Sequence, residues 1–176
     1  MNLKANFFAS VYQREQVRTD ACFGINDAFE ESENNDKGMA YTTIDGTREG
    51  WNAIVENPDC KDVTLTPLDH NIIIHPTPSE TYSLCDCMLY NKEWIAFVEL
   101  KIKGSGDSWI QKMISQLQST IDLFCANHDY HNYRFRVAYA ANKKHPSFHY
   151  SHRIQMNEFR NKTHFRLLIT NKIVVK

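Results

Sequence analysis

Asp86, Glu99 and Lys101 are the residues whose types and spacing could do chemistry. Glu99 and Lys101 interrupt IAFVELKIK (95–103), a nearly continuous apolar and β-rich run, and Asp86 lies between two cysteines in YSLCDCMLY (82–90). Side chains alternate along a strand, so Ile95, Phe97, Glu99 and Lys101 share one face while Ala96, Val98, Leu100 and Ile102 share the other. A carboxylate and an ammonium therefore project side by side from a segment of buried type, with a second carboxylate on the neighbouring strand. Charges in such a setting are costly unless paired or bound to a cation. Two readings follow: a Glu99–Lys101 ion pair of the kind that edge strands carry, and a cation site.

The elements that must position these residues are legible in outline. Asn91-Lys92 separates the two runs as a turn, which makes them an antiparallel hairpin. GSGDS (104–108) breaks the second strand, and Asp107 is placed to cap a long helix from Ser108 to about Ala126. In that helix Ile110, Met113, Ile114, Leu117, Ile121 and Phe124 keep the three-and-four spacing of a buried face, with Gln116 among them. Phe135 to Ala140 reads as a further strand, and Ile169 with Ile173 to Val175 as a last one. Upstream, residues 3–18 read as a short helix and Met39 to Ile44 as a strand. REGWNAIVEN (48–57) has helical spacing at Trp51, Ile54 and Val55, which puts Glu56 on a short helix. Val63 to Leu65 and Asn71 to Ile74 are β-branched runs bounded by prolines. The polar stretch EESENND (30–36) is a surface loop.

Composition limits the class. A chain of 176 residues can bury one core. No run reaches the roughly 18 apolar residues of a membrane helix, and MNLKANFFASVYQREQV breaks into charge too early for a signal peptide, so no membrane partner and a cytoplasmic location are expected. Five cysteines without paired metal spacing argue for reduced thiols rather than a disulfide framework. Cys85 and Cys87 point to opposite faces and read as small core residues. The near-neutral charge, 20 Lys+Arg against 21 Asp+Glu, hides an asymmetry. Residues 1–100 hold 7 basic and 17 acidic side chains, and residues 101–176 hold 13 and 4. Such a split suits a carboxylate cluster beside a basic surface that meets a polyanion, or two halves that neutralise each other. The histidines of HDYH (128–131) and HPSFHYSH (145–152) lack a cysteine partner at ligand spacing and read as loop residues rather than a zinc site. GSGDS lacks the lysine and spacing of a phosphate-binding loop.

This order of elements and these residues resemble the PD-(D/E)xK nuclease superfamily, whose signature is an acid at the end of one core strand, an acid-x-Lys triplet on the next, and commonly a helix after it. Asp86, Glu99-Leu100-Lys101 and the helix from Ser108 occupy those places over roughly residues 51–140. The family's frequent extra carboxylate matches Glu56, with Asp69 competing. Gln116 matches the glutamine some members carry on the following helix, although Thr120 stands where their tyrosine would be and Cys85 where the proline would be. The resemblance implies one α/β domain over 1–176, with a restriction-endonuclease-like core in which helices flank a mixed central sheet, and with 1–50 and 141–176 as elaborations. It further implies a magnesium- or manganese-dependent nuclease. Asp86, Glu99 and the Leu100 carbonyl would hold the metal and Lys101 would act on the attacking water. Glu56 would assist at the metal and Gln116 in positioning. The implied substrate is nucleic acid, DNA ahead of RNA, and a homodimer is compatible with cutting both strands. A catalytically inactive binding module of the same fold is the alternative.

Overall fold

The apolar run that carries Glu99 is the middle strand of a five-stranded sheet, which explains its near-continuous hydrophobicity: both of its faces are covered. The computed structural model describes residues 3–27, 38–77, 81–101, 108–144 and 152–176. The strands are β1 (Cys22–Asp27), β2 (Ala40–Thr43), β3 (Ala53–Glu56), β4 (Thr64–Pro67), β5 (Cys87–Tyr90), β6 (Trp94–Lys101), β7 (Phe135–Asn142), β8 (Arg166–Ile169) and β9 (Lys172–Val174). The helices are α1 (Ser108–Asn127) and α2 (Arg153–Thr163). Strands β4 to β8 lie side by side in chain order, antiparallel as far as β6 and parallel from β6 to β8. A second mixed sheet has the order β2-β1-β3-β9, with β3 and β9 parallel. No described helix is long and apolar enough to cross a membrane.

The two faces of β6 build two cores. Ile95 and Phe97 pack with Ile110, Met113, Leu117 and Phe124 of α1 and with Phe159 of α2. Trp94, Ala96, Val98 and Leu100 pack with Phe23, Ile25, Val55 and Ile173 of the second sheet. The expected alternation is therefore met, and Glu99 and Lys101 continue the face that α1 covers. Cys85 and Cys87 fall into different cores, as small buried residues. The Asn91 turn is closed by its side-chain oxygen, which accepts from the N–H groups of Glu93 and Trp94 at 2.9 and 2.8 Å.

Several segments depart from the sequence reading, among them the expected last strand, which is two: β8 in the five-stranded sheet and β9 in the second. Residues 3–18 form no helix, because their N–H groups bond elsewhere: Ala5 donates to Asn127 Oδ1, Phe7 to His128 Nε2, Gln13 to Asn71 Oδ1 and Glu15 to the Leu65 carbonyl. The segment carrying Glu56 is strand β3, not a helix. Trp51, Ala53 and Val55 are buried with a period of two, and β-branched Ile54 and Val55 suit a ladder. Asn71 to Ile74 is not a strand. His70 takes a left-handed φ of 61° and the chain turns back, with the Ile72 N–H donating to the Leu68 carbonyl. Strand β1 and helix α2 were not read in the sequence. Asp107 and the surface loop 30–36 lie outside the described residues.

Candidate active site

Antiparallel pairing brings the acids together. Cys87 of β5 stands opposite Val98 of β6, so one step further the start of β5 meets the end of β6 and Asp86 comes beside Glu99. The Leu100 N–H donates to Asp86 Oδ2 at 2.5 Å. The Leu68 N–H donates to the Asp86 carbonyl at 2.8 Å, which ties the turn carrying Asp69 to the same point. From the helix side, Gln116 Nε2 donates to the Leu84 carbonyl at 2.7 Å, and Thr120 Oγ1 accepts from the Cys85 N–H at 2.8 Å. The chain immediately before Asp86 is thus held by two side chains one helical turn apart.

These groups line a cavity of about 190 Å³, whose wall includes Asp27, Asp69, Asp86, Glu99, Lys101, Lys112 and Gln116. Asp27 arrives at the end of β1, from the other sheet, and Asp69 and His70 from the turn after β4. His70 Nε2 lies 3.3 Å from Asp69 Oδ2.

Electrostatics sets this cavity apart from an ordinary polar pocket. Burial pushes the Asp86 carboxyl up to about 8, helped by the charges of Asp27 and Asp69 and opposed by the Leu100 N–H and Lys101. Burial and the facing Asp86 hold Glu99 well above the usual carboxylate range, with Lys101 opposing. Glu99 is 5% exposed, and its Oε2 is buried with no hydrogen-bond partner. Among the described residues Glu99 and Lys101 form no ion pair, and β6 is a central strand, so the edge-strand ion pair is not what these charges make. Four carboxylates thus share a small cavity in which at least one oxygen is unsatisfied. Elementary electrostatics allows two outcomes, retained protons or a bound cation.

The donor set fits a hard divalent cation of the magnesium class, which is held by one or two protein carboxylates and keeps several waters. Among the described residues no group of three or more His, Cys, Asp or Glu side chains is placed to hold a metal ion.

Of the residues singled out in the sequence, Asp86, Glu99, Leu100, Lys101 and Gln116 all line the cavity. Glu56 does not. It lies on β3 in the second sheet, where Lys172 Nζ and Arg48 approach its Oε1 at 3.1 and 3.9 Å, and the competing Asp69 takes its place. The resemblance put Glu56 at the site, on an expected helix; its segment is instead a strand that pairs with β1 and β9. Asp27 and Lys112 were missed. Lys112 had a signal, lying four residues before Gln116 and therefore on the same helix face. Asp27 had none, since its approach depends on how the two sheets stack.

The described histidines of HDYH and HPSFHYSH bond within the chain, away from the cavity. His128 Nε2 accepts from the Phe7 N–H, His131 pairs with Asp129, and His152 Nδ1 lies 2.5 Å from Gln155 Oε1. His145 and His149 lie outside the described residues. No family model matches the chain, and neither a curated protein nor a solved structure matches it.

Proposed function

We propose that this protein is a divalent-cation-dependent nuclease of the restriction-endonuclease-like type, acting on nucleic acid, DNA ahead of RNA. The observation that carries the reading is the buried Asp86–Glu99 pair with an unsatisfied Glu99 oxygen, set at adjacent strand ends with Lys101 two residues on and α1 behind it. The order of an acid, a hairpin partner bearing Glu-x-Lys and a following helix is the arrangement that the resemblance implies, and it supports the same reading.

Asp86 and Glu99 would hold the cation, with the Leu100 carbonyl as a further protein oxygen. When bound, magnesium or manganese supplies charge neutralisation at the phosphate and a more acidic water. Lys101 is the cationic side chain of the triplet, and its ammonium would orient the attacking water and offset charge developing on the phosphate oxygens. Water adds to phosphorus and the ester P–O bond breaks, leaving a phosphate monoester and an alcohol. Gln116 is a positioning residue, because its amide is spent on the Leu84 carbonyl.

Calorimetric titration with magnesium and manganese, beside digestion of single- and double-stranded DNA and RNA, tests this. The expected result is saturable binding that Asp86→Asn and Glu99→Gln both abolish. Lys101→Met should keep metal binding while losing cleavage by on the order of 100-fold or more. Metal binding unaffected by either carboxylate change would sink the assignment. A catalytically inactive nucleic-acid-binding module of the same fold is the second reading, favoured by the absence of a three-ligand group among the described residues. It is selected if DNA binds without being cut under any divalent metal.

A further inference from the structure

The topology sorts the basic residues of the second half of the chain into two sets. Strands β6 and β7 are parallel, and Lys101 stands opposite Asn142, so both strands end at the same edge of the sheet. The Lys143 N–H donates to the Lys101 carbonyl at 2.9 Å, and the Lys144 N–H donates to Asn142 Oδ1 at 2.9 Å, so the chain after β7 continues the edge at which Lys101 lies, with exposed Lys144 there while the Lys143 ammonium donates to the Gly50 carbonyl at 2.6 Å. Helix α1 starts at this edge, and its exposed Lys112 lines the cavity with Lys101. Helix α2 leads away from it: β8, which follows, pairs in parallel with β7 from Val137 onward. Arg160, Lys162 and Arg166 are therefore carried toward the opposite edge, about 1.5 Å per helical residue away from Arg153.

We infer that the lysine rim formed by Lys101, Lys112 and Lys144 is the surface that receives the phosphate backbone of DNA, and that the equally basic Arg160, Lys162 and Arg166 are not part of it. Charge complementarity carries the argument. Four acids of the first half of the chain line the cavity, which suits a cation, while Lys101 and Lys112 of the second half line it beside them and Lys144 follows at the same sheet edge, which suits a polyanion. A backbone laid over the rim would present its phosphodiester to Asp86 and Glu99. The assignment names the substrate surface of the proposed site and so rests on that reading, but DNA binding to it needs no metal.

The test is fluorescence anisotropy with a labelled 30-base-pair DNA duplex in chelator, across a salt series, for wild type, Lys112→Ala, Lys144→Ala, the double variant, and Arg160→Ala/Lys162→Ala/Arg166→Ala. Each rim substitution should weaken binding about fivefold and lower the slope of log affinity against log salt by about one, with the double variant near the product of the two. The far-edge triple variant should bind as wild type does. All five should melt alike, since the substituted side chains are exposed. Equal loss in the far-edge triple variant, no salt-dependent binding by wild type, or tighter binding of an RNA duplex of the same sequence would each overturn the assignment. Because the binding assay is run in chelator, DNA that wild type binds there but leaves uncut when magnesium or manganese is restored would count against the catalytic reading alone.

Discussion

The Leu100 N–H reaches across the hairpin to Asp86 Oδ2 at 2.5 Å, so the residue between Glu99 and Lys101 fixes the acid that shares their cavity. The bond comes from the backbone of β6, and the Asp86 carboxylate is aimed by strand register, not by a mobile side chain. The bond favours the ionised carboxylate, which accepts more strongly than a protonated one. It nevertheless does not offset burial beside Asp27, Asp69 and Glu99, and Asp86 keeps a raised pKa.

Removing a carboxylate should stabilise the metal-free protein. An amide at position 86 can still accept the Leu100 N–H, and an amide at 99 carries no charge to bury. Asp86→Asn and Glu99→Gln are each expected to gain about 1–3 kcal/mol at pH 7.5 in chelator, and to show none of the stabilisation on adding magnesium that the proposed site predicts for wild type. Chemical denaturation with and without magnesium checks both halves. Destabilisation in chelator would mean that the pair contributes to the fold itself.

The pH dependence has a definite sign. Asp86 and Glu99 have folded values above their ordinary values of 3.8 and 4.5, so the folded chain holds protons that the unfolded chain has released. Their contribution is complete below about pH 4 and is lost as pH rises through the folded Asp86 value of about 8. Stability in chelator should therefore fall between pH 5 and 8, by at most about 1.4 kcal/mol per unit for each proton retained. Subtracting the Asp86→Asn/Glu99→Gln profile separates the pair from His128, which burial shifts the other way. Magnesium should flatten the slope, and a flat profile in chelator would contradict the buried pair.

Thr120 is a positioning residue that acts through the Cys85 backbone. Thr120→Val keeps the shape but leaves the buried Cys85 N–H without its acceptor, at a cost of about 1–3 kcal/mol. Magnesium affinity should fall with it, whereas Thr120→Ser should restore both. Destabilisation with unchanged magnesium affinity would confine Thr120 to the fold.

Gly24 in β1 tests the second sheet. A Cβ there would come within 2.2 Å of the Trp51 ring, which is itself buried and donates from Nε1 to the Asp45 carbonyl at 2.8 Å. Gly24→Ala is expected to lower stability by about 1–3 kcal/mol or more. Because β1 ends at Asp27 on the cavity wall, thermal melts should be read beside magnesium titrations.

What could be read in the sequence was local. The period-two run at 95–101, the Asn91 turn and the three-and-four spacing after Ser108 each follow from backbone geometry, and together they delivered the hairpin, α1 and the Asp86, Glu99 and Lys101 set. Gln116 was legible as a residue near the site, although its partner, the Leu84 carbonyl, was not. Tertiary structure decided the rest. Glu56 went to the second sheet because β3 found partners in β1 and β9, and the spacing of Trp51, Ile54 and Val55 fits a helix while their burial fits a strand. Residues 3–18 lost their helix to side-chain acceptors more than 50 positions away. Asp27 reached the cavity only through the stacking of two sheets. Periodicity records which face of an element is buried, because that depends on the residue's own neighbours along the chain. It carries no record of which distant carboxylates burial will bring together, and that convergence makes the site.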